Sequence, residues 1–152
     1  MRALPLVVLL AGAAEAQLRK PASPEGEWSF KSSLMPDDCV LSGDMSVRKA
    51  ASGFTCSFTA SWACKKGRTP LVINTQQTCT ASQKGAAISI ASKLGKIVST
   101  QPAGMEKQMQ NGYFPDNFEV TITADGDEME GRAFDPANHA RIRFERKREL
   151  IS

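Results

Sequence analysis

This 152-residue chain has one histidine, one tyrosine and four cysteines, and these shortages narrow the chemistry open to it. The histidine, His139, lies in a predicted turn beside Asn138, where we interpret it as a solvated turn residue and not as a general base. Cysteine spacings of 17, 8 and 15, with no C-x-x-C pair, do not fit a zinc site. The acidic run that starts at Asp125 lacks the distal glutamate of an EF-hand loop. The sequence therefore predicts a protein that is not an enzyme and has no metal and no cofactor.

Long apolar runs are also missing. The apolar run near the start covers about ten residues, whereas a helix needs ~20 to span a bilayer, so we predict no membrane span. A basic start at Arg2, that short run, and small residues at Ala14 and Ala16 are typical of a secretory signal peptide over residues 1–16. No N-x-[ST] sequon occurs, which fits bacterial export. We predict a periplasmic or secreted protein.

The net charge of +3 is too small to indicate nucleic-acid binding. After the predicted cleavage, residues 17–25 form a segment with two prolines and no apolar period, which favours an extended N-terminal arm. The remaining residues, 26–148, are enough for one domain with a hydrophobic core.

The cysteines fit two consecutive β-hairpins. A turn at Ala51-Ser52 sets Cys39 opposite Cys64, and a turn at Gly67-Arg68 sets Cys56 opposite Cys79. An even cysteine count in an exported chain favours disulfides. These hairpins predict the pairs Cys39-Cys64 and Cys56-Cys79, while Cys39-Cys56 with Cys64-Cys79 stays open if the turns lie elsewhere.

Alternating apolar residues predict further strands on both sides of these hairpins. A turn over 82–85 would pair Cys79 with Ile88, the Asp125-Gly126 pair sets Ile122 opposite Met129, and a turn over 135–138 sets Ala133 opposite Ala140. About eight strands in sequential order with one apolar face predict an all-β fold, an antiparallel up-and-down barrel, because closure removes both strand edges. The alternative is a β-sandwich.

One connection, residues 96–116, is too long for a hairpin and is predicted to hold a helical turn near Met105 to Gln110. Its Tyr113 and Phe114 are candidates for binding, or for plugging one end of the barrel. Gln77 and Thr75 fall on the inner face, which fits either a small ligand cavity or a barrel end open to water. Asp116 is interpreted as an ordinary turn carboxylate.

Gly26-x-Trp28 on the first strand, the meander, and Arg143 and Arg146 on the last strand together resemble the lipocalin and calycin pattern. That resemblance implies that Trp28 packs across the closed end of the barrel beneath an arginine. Here the last strand offers both Arg143 and Arg146 as barrel-closing residues.

A narrower likeness is to bacterial periplasmic inhibitors of secreted zinc metalloproteases. It rests on the mature arm with Gln17, Leu18, Arg19 and Lys20, on Gly26-Glu27-Trp28, and on the R-F-x-R end of the last strand. It implies an N-terminal arm that enters a protease cleft. The second disulfide and the long connection depart from that family. The partner would be a secreted protease, and the alternative functions are binding of a small ligand or of another envelope protein.

Overall fold

The computed structural model of the protein describes residues 20–65 and 69–148. The predicted signal peptide 1–16, the arm residues Gln17, Leu18 and Arg19, and the predicted turn at Gly67-Arg68 lie outside the described residues. Within the described ranges, no helix is long and apolar enough to cross a bilayer.

Eight antiparallel strands close into a barrel in sequential order, which confirms the up-and-down barrel and excludes the sandwich. The first and last strands pair to close it, with Phe30 opposite Phe144. In chain order the elements are β1 (Gly26–Ser32), β2 (Cys39–Lys49), β3 (Phe54–Cys64), β4 (Leu71–Lys84), β5 (Ala87–Gln101), α1 (Glu106–Gly112), β6 (Asn117–Ile122), β7 (Glu128–Phe134) and β8 (His139–Arg146).

Both disulfides form as the hairpin registers predict. Cys39 lies opposite Cys64 in the pairing of β2 with β3, and Cys56 lies opposite Cys79 in the pairing of β3 with β4. The two bonds join the same cysteines, so the alternative connectivity is excluded. Each bond therefore links residues that the strands already bring face to face.

The β4–β5 hairpin differs from its predicted register. Cys79 lies opposite Ser92, not Ile88, and the tight turn falls at Gly85-Ala86. Gly85 has φ 60°, a conformation that glycine adopts without a steric penalty and that suits the first central position of a type II′ turn. The displacement is an even number of residues, so the same side chains still face the core.

The two other predicted hairpins have the expected registers, with Ile122 opposite Met129 and Ala133 opposite Ala140. The connection after β5 begins later than predicted. Because β5 continues to pair with β4 as far as Gln101, that connection covers residues 102–116, and its helix is Glu106–Gly112.

Four phenylalanine rings fill the middle of the barrel. Phe118 contacts the rings of Phe30, Phe58 and Phe144, with centroid separations of 5.5, 5.7 and 5.3 Å. Each of these rings is at most 4% exposed. Because aromatic side chains fill the middle of the barrel, a candidate binding site is expected at one of its two ends.

Candidate functional site

The two ends of the barrel differ in structure, and each is defined by its connections. The arm end comprises the arm residues 20–25 and the connections 50–53, 85–86 and 123–127. The lid end comprises the described parts of the connections 33–38, 65–70, 102–116 and 135–138.

At the arm end, Arg146 and Trp28 meet. The Arg146 guanidinium lies 4.3 Å from the centre of the Trp28 ring, which is fully buried. Gly26 makes this contact possible, because a Cβ at that position would lie 2.4 Å from Arg146 Nη1. The glycine and tryptophan of Gly26-x-Trp28 therefore have one shared physical role, which is to seat this arginine on the indole ring.

Arg146 also ties down the base of the arm. Its guanidinium nitrogens donate to the backbone carbonyls of Ser23, Glu25 and Gly126. The Trp28 indole N–H donates to the Pro24 carbonyl over 2.8 Å. A charged fork that reaches three carbonyls at once holds its partners in one arrangement, since these bonds are stronger than neutral ones and directional.

The rest of the arm base is held by β4. Gln83 Nε2 donates to the Ala22 carbonyl over 2.7 Å, and Ala22 packs against the core. Pro24 is buried, whereas Lys20 and Pro21 are exposed. The arm is thus fixed from Ala22 onward, and the chain before it leaves the barrel from a defined point.

Arg143 lies apart from this closure, on the outer face of β8. It pairs there with Glu128 and lies 3.7 Å from Glu130 and 3.6 Å from Glu145. Strand alternation explains the difference from Arg146, because Ile142 and Phe144 take the inward positions on either side of Arg143.

A broad open groove of about 1450 Å³ also runs over this outer face, lined among others by Lys31, Asp44 and Arg143.

At the lid end, a buried polar cluster joins the end of the connection 102–116 to β4. Asp116 Oδ2 accepts hydrogen bonds from Gln77 Nε2 and from Tyr113 Oη, both at 2.7 Å. The Asp116 N–H donates to Gln77 Oε1 over 3.0 Å, and Gln77 Nε2 also donates to Thr75 Oγ1. We call these four residues the lid cluster.

The interpretation of Asp116 as a turn carboxylate is wrong, because this side chain is buried inside the barrel end. Asp116 is 3% exposed, Gln77 2% and Thr75 0%. Burial raises the pKa of Asp116 to about 6, and it likewise raises the pKa of Tyr113. Gln77 and Thr75 do point inward as predicted, and the polar partner of Gln77 there is Asp116.

A small cavity of about 10 Å³ lies beside the cluster, and Asp116, Asp135 and His139 are among its lining residues. That volume is close to what one water molecule requires. Across the described residues no three His, Cys, Asp or Glu side chains are placed to hold a metal ion. Phe114, a candidate binding residue, is 50% exposed at this end, while Tyr113 is turned into the cluster.

Comparison with known proteins yields little. No family model and no curated protein matches the chain. Among solved structures, it is similar to a redesigned β barrel, mFAP1, bound to DFHBI, with a TM-score of 0.49 and 10% sequence identity over 81% of this chain and 94% of that one. The two disulfides of the barrel fit an oxidising compartment.

Proposed function

We propose that this protein is a non-enzymatic periplasmic or secreted binding protein that inhibits a secreted protease, with residues 17–21 of its arm as the contact segment. The observation that carries the proposal is the anchoring of the arm base by Arg146, Trp28 and Gln83. An inhibitory arm needs a rigid base, because every bond rotation that is lost on binding reduces the affinity. In this protein the contacts of Arg146, Trp28 and Gln83 already hold the arm base in the unbound barrel.

The arm's own sequence supports the same function. Pro21 restricts the backbone of the contact segment to extended conformations, which lowers the entropy lost when a cleft is filled. Gln17 and Leu18 would enter the cleft first, while Arg19 and Lys20 would contact its rim. The extended form also suits the strand-like binding of peptides in protease clefts.

Deletion of residues 17–21 is expected to reduce inhibition by at least about 100-fold, the equivalent of ~2.7 kcal/mol of binding free energy. The thermal midpoint is expected to stay within about 1 °C, because the hydrogen bonds that hold the arm begin at Ala22. The measurement is the inhibition constant against secreted zinc metalloproteases of the source organism, beside a thermal melt.

Arg146→Lys provides a second variant that keeps the whole arm but loosens its base. A lysine cannot reach three carbonyls in one plane, so inhibition should weaken and the unfolding midpoint should fall. Arg141→Lys, on an exposed outward position of β8, is the matched control and should change neither property. Undiminished inhibition by the protein that lacks residues 17–21 would end the proposal.

The alternative function is docking of another envelope protein at the lid end. It is favoured by two exposed apolar side chains there, Leu34 at 65% and Phe114 at 50% exposure. The double variant Leu34→Ser with Phe114→Ser should then fail to retain a periplasmic protein that the unaltered barrel captures. If the unaltered barrel and the double variant capture the same partner with equal yield, the lid end is not the docking surface.

A further inference from the structure

The barrel wall is incomplete between β5 and β6. These strands pair over only four residue positions, from Ala87 opposite Thr121 to Ile90 opposite Phe118. Beyond Ile90, β5 continues to Gln101 with β4 on one side and no strand on the other among the described residues. The connection 102–116, which we call the lid segment, lies along this open stretch.

Two side-chain amides replace strand hydrogen bonds along this seam. Asn117 Oδ1 accepts from the Ser92 N–H over 2.9 Å, and Gln110 Oε1 accepts from the Ile97 N–H over 3.0 Å. Backbone groups of a strand edge need such partners when they lie away from water. One bond to β6 and one to the lid segment therefore close the seam in place of strand pairing.

Little else holds the lid segment in place. Its helix α1 is seven residues long and contains no buried residue, and the side chain of its N-cap residue, Met105, makes no capping hydrogen bond. At its first end, Thr100 Oγ1 donates to the Pro102 carbonyl and accepts from the Met105 N–H. At its other end, the lid cluster holds Tyr113 and Asp116 on Gln77. The cluster is the deeply buried attachment of the segment.

Burial favours the protonated form of Asp116 more strongly than its two hydrogen-bond donors favour the carboxylate. Both donors, from Gln77 and Tyr113, reach Oδ2, and no donor from the described residues reaches Oδ1. A proton on Oδ1 leaves both bonds intact and removes a buried charge. An ionised carboxylate in the same place carries a full charge with only one oxygen bonded, which is costly at 3% exposure.

The charged and titratable groups around Asp116 act in opposite directions. Asp135, from the β7–β8 connection, opposes ionisation of Asp116, and Tyr113 stabilises the carboxylate by its hydrogen bond. His139, at the start of β8, lines the same small cavity and would favour the carboxylate when protonated. The elements β2, β3 and β7 contribute apolar lining from Leu41, Trp62 and Ala133, and no charge.

We propose that the lid segment is a pH-controlled lid over the β5–β6 seam, latched by the protonated Asp116 carboxyl in mildly acidic surroundings and loosened when that proton passes to solvent near neutral pH. The device lies at the end of the barrel opposite the arm and does not depend on the arm's function. Opening of the lid segment would expose the edge of β5 beyond Ile90, which has no β6 partner, and the inner face of the barrel behind that edge.

The direction and the size of the pH effect on lid opening follow from the difference in the Asp116 pKa between the latched and the released state. In the latched state the pKa of Asp116 is about 6, and in the released state it returns to its ordinary 3.8. The latched state therefore binds the proton more tightly, and its advantage falls as pH rises through about 6. Between pH 5 and pH 8 the opening equilibrium of the lid segment should increase about tenfold.

The test is hydrogen–deuterium exchange of peptides from 102–116 at pH 5, 6, 7 and 8, with each rate corrected for the intrinsic exchange rate at that pH. The full-length mature protein should lose protection about tenfold over this range. Asp116→Asn, whose amide oxygen can accept the same two bonds at every pH, should give a flat profile. The carboxyl carbon resonance of Asp116 should titrate near pH 6 in the unaltered protein.

Two further variants keep the proposal testable if Asp116→Asn folds poorly. Tyr113→Phe removes a donor to the carboxylate, so the midpoint of the loss should move to higher pH. Asp135→Asn removes an opposing charge while its amide oxygen can still cap the turn, so the midpoint should move to lower pH. A corrected profile that is flat in the unaltered protein, or midpoints that do not move in these directions, would overturn the proposal.

Discussion

Replacement of Phe118 by alanine is expected to lower the free energy of unfolding by about 3–5 kcal/mol, the range observed when a buried aromatic ring is removed and its space is only partly refilled. Phe118 is 0% exposed and touches the rings of Phe30, Phe58 and Phe144 in the middle of the barrel. Ring pairs in tilted or edge-on contact add to the loss beyond the buried area. Urea titration followed by circular dichroism measures the change.

The loss should be large because Phe118 also helps to hold the strand that carries it on its weaker side. Strand β6 pairs with β7 from Asn117 to Ile122 but with β5 over only four positions, so its attachment on the β5 side depends in part on the side chains it buries. Phe114→Ala is the matched control, since it makes the same chemical change at a side chain that is 50% exposed. That control should cost less than about 1 kcal/mol. Equal losses for the two variants would mean that the ring cluster does not stabilise the barrel.

The strand pairings were predictable from the sequence where a turn position was unambiguous. Cys39 opposite Cys64 and Ile122 opposite Met129 both follow from a two-residue side-chain period combined with a single plausible turn. The barrel followed in turn, because eight such strands in order have no other economical way to hide both edges.

The β4–β5 hairpin shows where this reasoning fails. A period of two fixes which side chains face inward, but it is unchanged by any even displacement of one strand along the other. Cys79 therefore faces inward in the predicted register and in the observed one, although its partner changes from Ile88 to Ser92. The conformation of Gly85 decides between them, and that is a property of the folded turn.

The lid cluster could not be predicted because it depends on tertiary contact. Asp116 and Gln77 are separated by 39 positions, and no local pattern links them. In the sequence Asp116 follows Phe114-Pro115 in a turn-prone stretch, which is typical of an exposed carboxylate. The inward position of Gln77 was visible from strand alternation, but its partner was not. A polar side chain predicted inside a barrel thus implies a second buried polar group that forms hydrogen bonds with it.

Removal of the Cys56-Cys79 disulfide, by changing both cysteines to alanine, is expected to lower the free energy of unfolding by roughly 3 kcal/mol. The bond closes a loop with a sequence separation of 23, which limits the conformations of the unfolded chain. Cys56 and Cys79 belong to the core and are 7% and 6% exposed, so a small packing loss adds to this value. Chemical denaturation of the oxidised proteins measures the change.

The Cys39-Cys64 bond provides the internal comparison, because it too joins facing residues of a hairpin and has a nearly equal sequence separation of 25. If restriction of the unfolded chain dominates, the two alanine pairs should destabilise the barrel to within about 1 kcal/mol of each other. The unaltered protein treated with a reductant should then lose the sum of the two effects. A Cys39-Cys64 variant that loses almost nothing would contradict this account, and it would mean that the lid end of β2 and β3 is already loose in the folded barrel.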